Sequence, residues 1–519
     1  MSTNKSVARS ASVIGLATLA SRLLGFARDM VLARLFGIYM YAQAFVVAFK
    51  IPNLFRDLVG EGAANSAFVP VFSEYKVKRS EKEFWELANV MLNIMLVSLA
   101  VLTIIGMALA PLIVRLIAPG FVSEPQKLEL TIRLARIIFP YIILVSLAAY
   151  AMSILNTLGH FSVPAFAPCL LNISIIIFAM LFGEDIRGLA TGVLAGGFLQ
   201  LAVQVPVLLR KGFRFHLFRR FRHPAAGAIG RLMAPRILSS SIYQLNNFVD
   251  SIFGSLGFIV GEGGVAVLYF SYRLIQFPLG IFSNALSQAI LPALSRQALE
   301  GQGHAELKKT LSFGLRSTFF VMLPASAGFM ALSYPIISSI FSGGRFDPYS
   351  VGLTSSALFY YSIGLFAYGA TKILQSCFFA LKDTVTPTKV AFLTLAMNIA
   401  FNAMLMFPMK LAGIALATSI SGAITFFVLF SMLIKKLGAF DTREIFSSFL
   451  RIAAASVLMS LTLYAISARL AFCGNLIHRL LNLGMVISLG IVMYVFFCLA
   501  FKVKEIKELW QWLAFRRKL

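Results

Sequence analysis

Between Val13 and Phe72 the chain places eight charged side chains in a stretch otherwise rich in Leu, Phe, Val and Ala: Arg22, Arg28, Asp29, Arg34, Lys50, Arg56, Asp57 and Glu61. A charge at the centre of a bilayer costs roughly 2.5–3.5 kcal/mol on insertion scales. Such a stretch is tolerated when its charges face a water-filled cavity or pair with one another. The excess of Arg points to an anionic cargo. Guanidinium forks match phosphate oxygens bidentately and are less strongly hydrated than ammonium groups, which suits a partly dry cavity. Arg22 and Arg28 are about 9 Å apart along a helix, so they cannot share one narrow face.

The elements that position these residues follow from composition. The chain has 519 residues, 59% of them hydrophobic and 13% charged, against about 25% charged in a soluble domain. Apolar runs of about twenty residues recur, which predicts membrane-spanning helices rather than barrel strands. Fourteen fit, from Val13–Phe36 to Leu480–Phe501. The net charge of +25 collects in alternate loops, at Lys76, Lys78, Arg79 and Lys82, at Arg210, Lys211, Arg214, Arg219, Arg220 and Arg222, and after Phe501. That asymmetry predicts cytoplasmic termini and removes the need for a nucleic-acid partner.

Other features read as structural. Cys169, Cys377, Cys473 and Cys498 are scattered packing residues, and the five histidines fall in loops or at helix ends. No metalloprotease, nucleotide-binding or nucleophile-elbow pattern occurs, so no catalytic set is assigned. Arg115, Arg133, Arg136 and Arg451 read as anchors at span ends, Arg34 and Lys410 as snorkelling or loop charges, and Arg316 and Lys372 stay open. Ile506, Leu509, Trp510 and Leu513 share one face of a short interfacial helix.

Landmarks repeat at nearly constant offset. Ala67–Ser73 is echoed by Ala289–Ser295, Leu158 and Pro164 by Leu381 and Pro387, and Gly188-Leu189-Ala190 by Gly413-Ile414-Ala415. Each copy holds six spans, an even number, so the two lobes run in parallel. The expected architecture is an all-α polytopic membrane protein with two six-helix lobes in parallel pseudo-repeat and two extra C-terminal helices. Residues 1–222 form the first lobe, 223–440 the second, 441–503 the two extra spans, and 504–519 an amphipathic tail.

Ser21-Arg22-Leu23-Leu24-Gly25-Phe26-Ala27-Arg28-Asp29, the run Ala44–Arg56, Glu61-Gly62-Ala63 and Ala67–Pro70 resemble the signature of the MurJ (MviN) lipid II flippase family. The resemblance implies a fold of the multidrug/oligosaccharidyl-lipid/polysaccharide exporter superfamily. It also implies a bacterial inner-membrane protein that moves undecaprenyl-diphosphate-linked peptidoglycan precursor to the outer leaflet, with residues 441–503 as a groove for the lipid tail; the two paired lobes themselves suggest alternating access. Proteins of peptidoglycan synthesis are the partners it implies. Carried over by motif, the substrate residues are Arg22, Arg28, Arg56 and Arg273, with Lys50 and Asp29 lining or ordering the cavity; Glu61, like Asp57, neutralises cavity cations. Gln43 stands where some members have an acidic residue. Some members bind sodium, and matching spacing gives Asp250, Asn398, Asn402, Ile414 and Thr418, with Asn402 replacing an expected carboxylate. The alternative for Asp250 is pairing with a neighbouring polar side chain. Export of another polyprenyl-linked glycan, or a non-transporting scaffold, are the competing functions.

Overall fold

The computed structural model describes residues 3–56, 68–216, 221, 223–299, 304–438, 442–469 and 474–506. Helices dominate them, and the extended pairing among them is confined to one isolated bridge between Gly343 and Phe346. The chain divides into two compact units, Met1–Gly257 and Phe258–Leu519.

The first unit contains α1 (Thr3–Phe36), α2 (Met40–Phe55), α3 (Val69–Lys78), α4 (Glu81–Ile117), α5 (Pro125–Ile138), α6 (Tyr141–Thr157), α7 (Ser162–Phe182), α8 (Arg187–Ala202), α9 (Val205–Arg210) and α10 (Pro224–Gly254). A short α11 (Gly257–Val260) lies at the boundary. The second unit contains α12 (Gly264–Pro278), α13 (Asn284–Gln297), α14 (Ala305–Ala331), α15 (Ser333–Phe341), α16 (Pro348–Ile363), α17 (Leu365–Ala380), α18 (Val385–Leu437), α19 (Thr442–Ser467) and α20 (Leu476–Ala500). The predicted span Leu232–Leu256 coincides with much of α10, which belongs to the first unit.

Among the described residues, eight helical segments are long and apolar enough to cross a membrane. The bent pairs α14–α15 (75°) and α16–α17 (43°) raise the number to ten. The expectation from sequence is fourteen. The difference falls on α1, which carries the charges, on α2, described over 16 residues, and on α10, together with the joining of two predicted spans in α18. That helix is two legs meeting at Lys410, whose φ of 53° and ψ of −130° break the helical path. Close approach at the break requires glycine at 413, because a Cβ there would lie 2.1 Å from the Leu405 carbonyl oxygen. Lys410 is thus the hinge residue of a helical hairpin.

Helix starts follow local chemistry. Ser80 caps α4 by accepting from the Glu83 amide at 3.3 Å, and Asp347 caps α16 by accepting from the Ser350 amide at 2.8 Å, with Pro348 at the first helical position. Both satisfy donors that a helix N-terminus leaves open.

Prolines within spans leave carbonyls without their helical donor, a costly state in lipid. Pro111 frees the Met107 carbonyl, which accepts from Arg136 Nε on α5 at 3.3 Å. Pro324 frees the Phe320 carbonyl, which accepts from the Tyr494 hydroxyl on α20 at 2.7 Å. Arg136, expected to be an anchor, therefore also completes the backbone of a neighbouring helix.

The repeat is visible in backbone bonding. At the end of α6, the amides of Leu158, Gly159 and His160 donate to Ile154, Asn156 and Leu155; at the end of α17, those of Leu381, Lys382 and Asp383 donate to Cys377, Phe379 and Phe378. The two patterns are identical at an offset of 223 residues, and Lys382 (φ 58°) holds the left-handed place that Gly159 (φ 78°) holds in the first copy. The following hairpins also correspond. In α7–α8 small residues let backbones approach, since a Cβ on Gly196 would lie 2.9 Å from the Leu171 Cα.

Candidate functional site

Arg28 is the charged residue most firmly built into the first unit. It is 6% exposed and Asp29 is fully buried. Its Nε and Nη2 donate to Asp29 Oδ1 at 3.0 and 2.7 Å, and its Nη1 donates to Asn172 Oδ1 at 3.2 Å. The guanidinium carbon lies 5.9 Å from the centre of the Phe49 ring. Asn172 in turn donates to the Ser21 and Pro168 carbonyls. Residues of α1, α2 and α7 therefore fix one guanidinium in a largely apolar interior. A buried cation held this way is neutralised by its own carboxylate and oriented by an amide and an aromatic face.

Lys50, half-buried on α2, donates to the Ser251 hydroxyl of α10, and its ammonium lies 5.6 Å from the centre of the Phe248 ring. Asp250 is close enough for its charge to act on Lys50. The span containing Asp250 is thereby tied to α2 within the first unit. Arg22 lies on α1 and Arg56 at the end of α2, both half-buried. Gln43 is buried on α2, with Nε2 making no hydrogen bond among the described residues. Glu61 and Asp57 lie outside the described residues, as do residues 507–519 of the expected tail helix. Arg273 lies half-buried on α12 of the second unit.

Four of the five residues matched to the sodium set come together on the α18 hairpin. Asn402 Nδ2 donates to Asn398 Oδ1 at 3.0 Å, Asn398 Nδ2 to Thr418 Oγ1 at 3.2 Å, and Thr418 Oγ1 to the Ile414 carbonyl at 3.2 Å. Asn402 is fully buried, and its Oδ1 has no hydrogen-bond partner among the described residues. One turn toward the hairpin's open end, Thr394 and Thr425 share a hydrogen bond of 2.7 Å. At the matching positions the first copy has Leu171, Ile175, Ala179 and Val193, with Gln200 in place of Thr425, all buried. Asp250 belongs to the other compact unit.

Sequence reasoning reached Arg28 and Asp29 but missed Asn172, Phe49 and Ser251. The signal for Asn172 was present, since a lone amide within an apolar span needs a partner. Phe49 carried no signal, being one of 49 phenylalanines.

The chain is similar to known proteins over most of its length. A protein of Buchnera aphidicola subsp. Acyrthosiphon pisum, named probable lipid II flippase MurJ, is 36% identical over 478 residues, covering 91% of this chain and 92% of that one. The lipid II flippase MurJ of Burkholderia cenocepacia is 34% identical over 427 residues, covering 81% and 82%. The solved structure of lipid II flippase MurJ in an inward closed conformation superposes with a TM-score of 0.79 at 27% identity, covering 95% of this chain and 99% of that one. An inward-facing multidrug resistance MATE family transporter of the MOP superfamily shares the fold, with a TM-score of 0.67 at 17% identity over 80% of this chain and 95% of that one. The family described as "Lipid II flippase MurJ" matches residues 32–500, so this all-α, multi-pass membrane protein belongs to the MurJ lipid II flippase family, whose members are transporters and not enzymes.

Proposed function

We propose that this chain carries a lipid-linked peptidoglycan precursor, lipid II, from the inner to the outer leaflet of the bacterial cytoplasmic membrane by alternating access, with both termini in the cytoplasm. The observation that supports this most is Arg28, a guanidinium buried and oriented by Asp29, Asn172 and Phe49. Arg22 and Arg56 of the same unit bind the diphosphate with it, and Arg273 is assigned the same anionic group. Lys50 and Asp29 order this machinery, and Glu61 neutralises its cations. Residues 441–503 hold the lipid tail, and proteins of peptidoglycan synthesis are the expected partners.

A diphosphate suits these residues because its oxygens accept bidentate, charge-assisted hydrogen bonds from guanidinium forks. Moving one net negative charge outward is favoured by roughly 2.3 kcal/mol per 100 mV of inside-negative potential. The orphaned Asn402 Oδ1 beside Asn398, Thr418 and the Ile414 carbonyl offers the all-oxygen donors a hard cation takes. Those residues would hold a sodium ion, whose charge would offset part of the substrate's.

The deciding experiment is complementation of a flippase-depleted bacterium by Arg22→Ala, Arg28→Ala, Arg56→Ala and Arg273→Ala chains. Loss of growth with normal membrane insertion is expected for each. Growth supported by all four would leave the scaffold reading standing. Transport in proteoliposomes should rise with an inside-negative potential; indifference to both potential and sodium would end the energetic scheme.

A further inference from the structure

Within the second unit, one group of buried charges plays no part in the proposed transport. It lies where α14, α19 and the segment after α20 meet. The chain turns at Lys502 (φ 52°), and Val503, Glu505 and Ile506 are buried, Glu505 at 5% exposure. Glu505 Oε1 accepts from Arg316 Nη1 of α14 at 3.1 Å and from Ser448 Oγ of α19 at 2.7 Å. Beside it, Lys504 Nζ donates to Glu444 Oε1 of α19 at 2.9 Å. Arg451 donates to the Lys502 carbonyl at 3.4 Å. The same Glu444 oxygen lies 3.6 Å from Arg316 Nη1.

A buried guanidinium stripped of its carboxylate is strongly unfavourable, so a fixed tail could not leave Arg316 cheaply. Here the charges are arranged to avoid that state. The helical body contributes Arg316, Arg451 and Glu444, and the terminal segment Lys502, Lys504 and Glu505, so each set keeps a carboxylate of its own. When the segment leaves, Arg316 can turn to Glu444, which is already within reach, while Lys504 and Glu505 pair in water. The bond that exchange gives up at Glu444 is the half-exposed one, and such pairs contribute little.

We propose that Lys504–Glu505 is a releasable strap: it clasps α14 to α19 while Arg316 pairs with Glu505, and it opens by exchange of Arg316 onto Glu444. The terminal segment is then a reversible closure of this end of the second unit.

The test is trypsin cleavage after Lys502 and Lys504 in the detergent-solubilised full chain. Glu505→Gln removes the carboxylate of the closed state and should raise the cleavage rate about tenfold. Ser448→Ala, which changes no charge, should raise it about threefold. Glu444→Gln removes the partner of the open state and should cleave no faster than wild type. Thermal unfolding of the spans, followed alongside, should stay unchanged for Glu505→Gln. Wild-type cleavage of Glu505→Gln would overturn the strap, and Glu444→Gln cleaving as fast as Glu505→Gln would overturn the exchange.

Discussion

Tyr494 on α20 donates its hydroxyl to the Phe320 carbonyl of α14, 2.7 Å away, and Phe320 stands four residues before Pro324. The tyrosine supplies the hydrogen that the proline cannot. Tyr494→Phe should therefore cost about 1–3 kcal/mol by leaving a buried carbonyl unpaired. In a Pro324→Ala background the amide of residue 324 can reach that carbonyl, and the cost of Tyr494→Phe should largely vanish. Thermal unfolding of the four proteins of this cycle measures the coupling; equal costs in both backgrounds would refute it.

The paired turns at Gly159 and Lys382 should respond in opposite directions. A left-handed backbone costs a residue with a Cβ about 1–2 kcal/mol, part of which glycine returns through its freer unfolded chain. Lys382→Gly should then stabilise by about 0.5–1 kcal/mol. Gly159→Ala should destabilise by about 1 kcal/mol, although nothing lies within 4 Å of the added Cβ. Denaturation midpoints in matched detergent decide the signs.

Asp383 lies between α17 and α18. Partial burial pushes its carboxyl up, but hydrogen bonds from Lys436 and from the Thr386 amide and hydroxyl, with the Lys436 charge, outweigh that and hold it down to about 2, from an ordinary 3.8. A lowered carboxyl stabilises the fold fully above its unfolded value and loses that contribution as pH falls through its folded one. The stability difference between wild type and Asp383→Asn should be constant above pH ~5 and shrink between about 4 and 2. A difference independent of pH would sever Asp383 from Lys436.

Asn172 should matter through Arg28. Asn172→Ala removes the acceptor for Arg28 Nη1 and a tie to the α1 backbone, so affinity for a diphosphate lipid should fall about tenfold. Combined with Arg28→Ala, it should add little further loss. Titration of the purified variants with lipid II reads both effects; full additivity would make Asn172 independent of Arg28.

The helical spans were legible because long apolar runs leave few alternatives, and the repeat because its turns reuse the same landmarks. Charged helices were legible in another way, as violations: Arg28 and Asp29 were conspicuous because lipid would reject them. What sequence could not give was who answers each violation. Arg136 looked like an anchor because its partner is a carbonyl, which no residue name reveals. Arg316 stayed open because Glu505 stands 189 residues away. The break at Lys410 was legible as the connection between two apolar runs, with Lys410 a charge in that connection, although a lysine does not announce a positive φ.

The two hairpins of the repeat share backbone geometry and differ along their seams, with Ile175, Ala179 and Val193 in one and Asn398, Asn402 and Thr418 in the other. Turn bonds and close helix approaches are indifferent to what lines a seam, so a duplicated scaffold can keep them while its interior diverges. The first hairpin closes on small residues, with the Ser174 hydroxyl donating to the Gly192 carbonyl. The second closes on a chain of amide and hydroxyl hydrogen bonds running from Asn402 to the Ile414 carbonyl, so its grip is directional and fixes the register of the two legs as well as their distance.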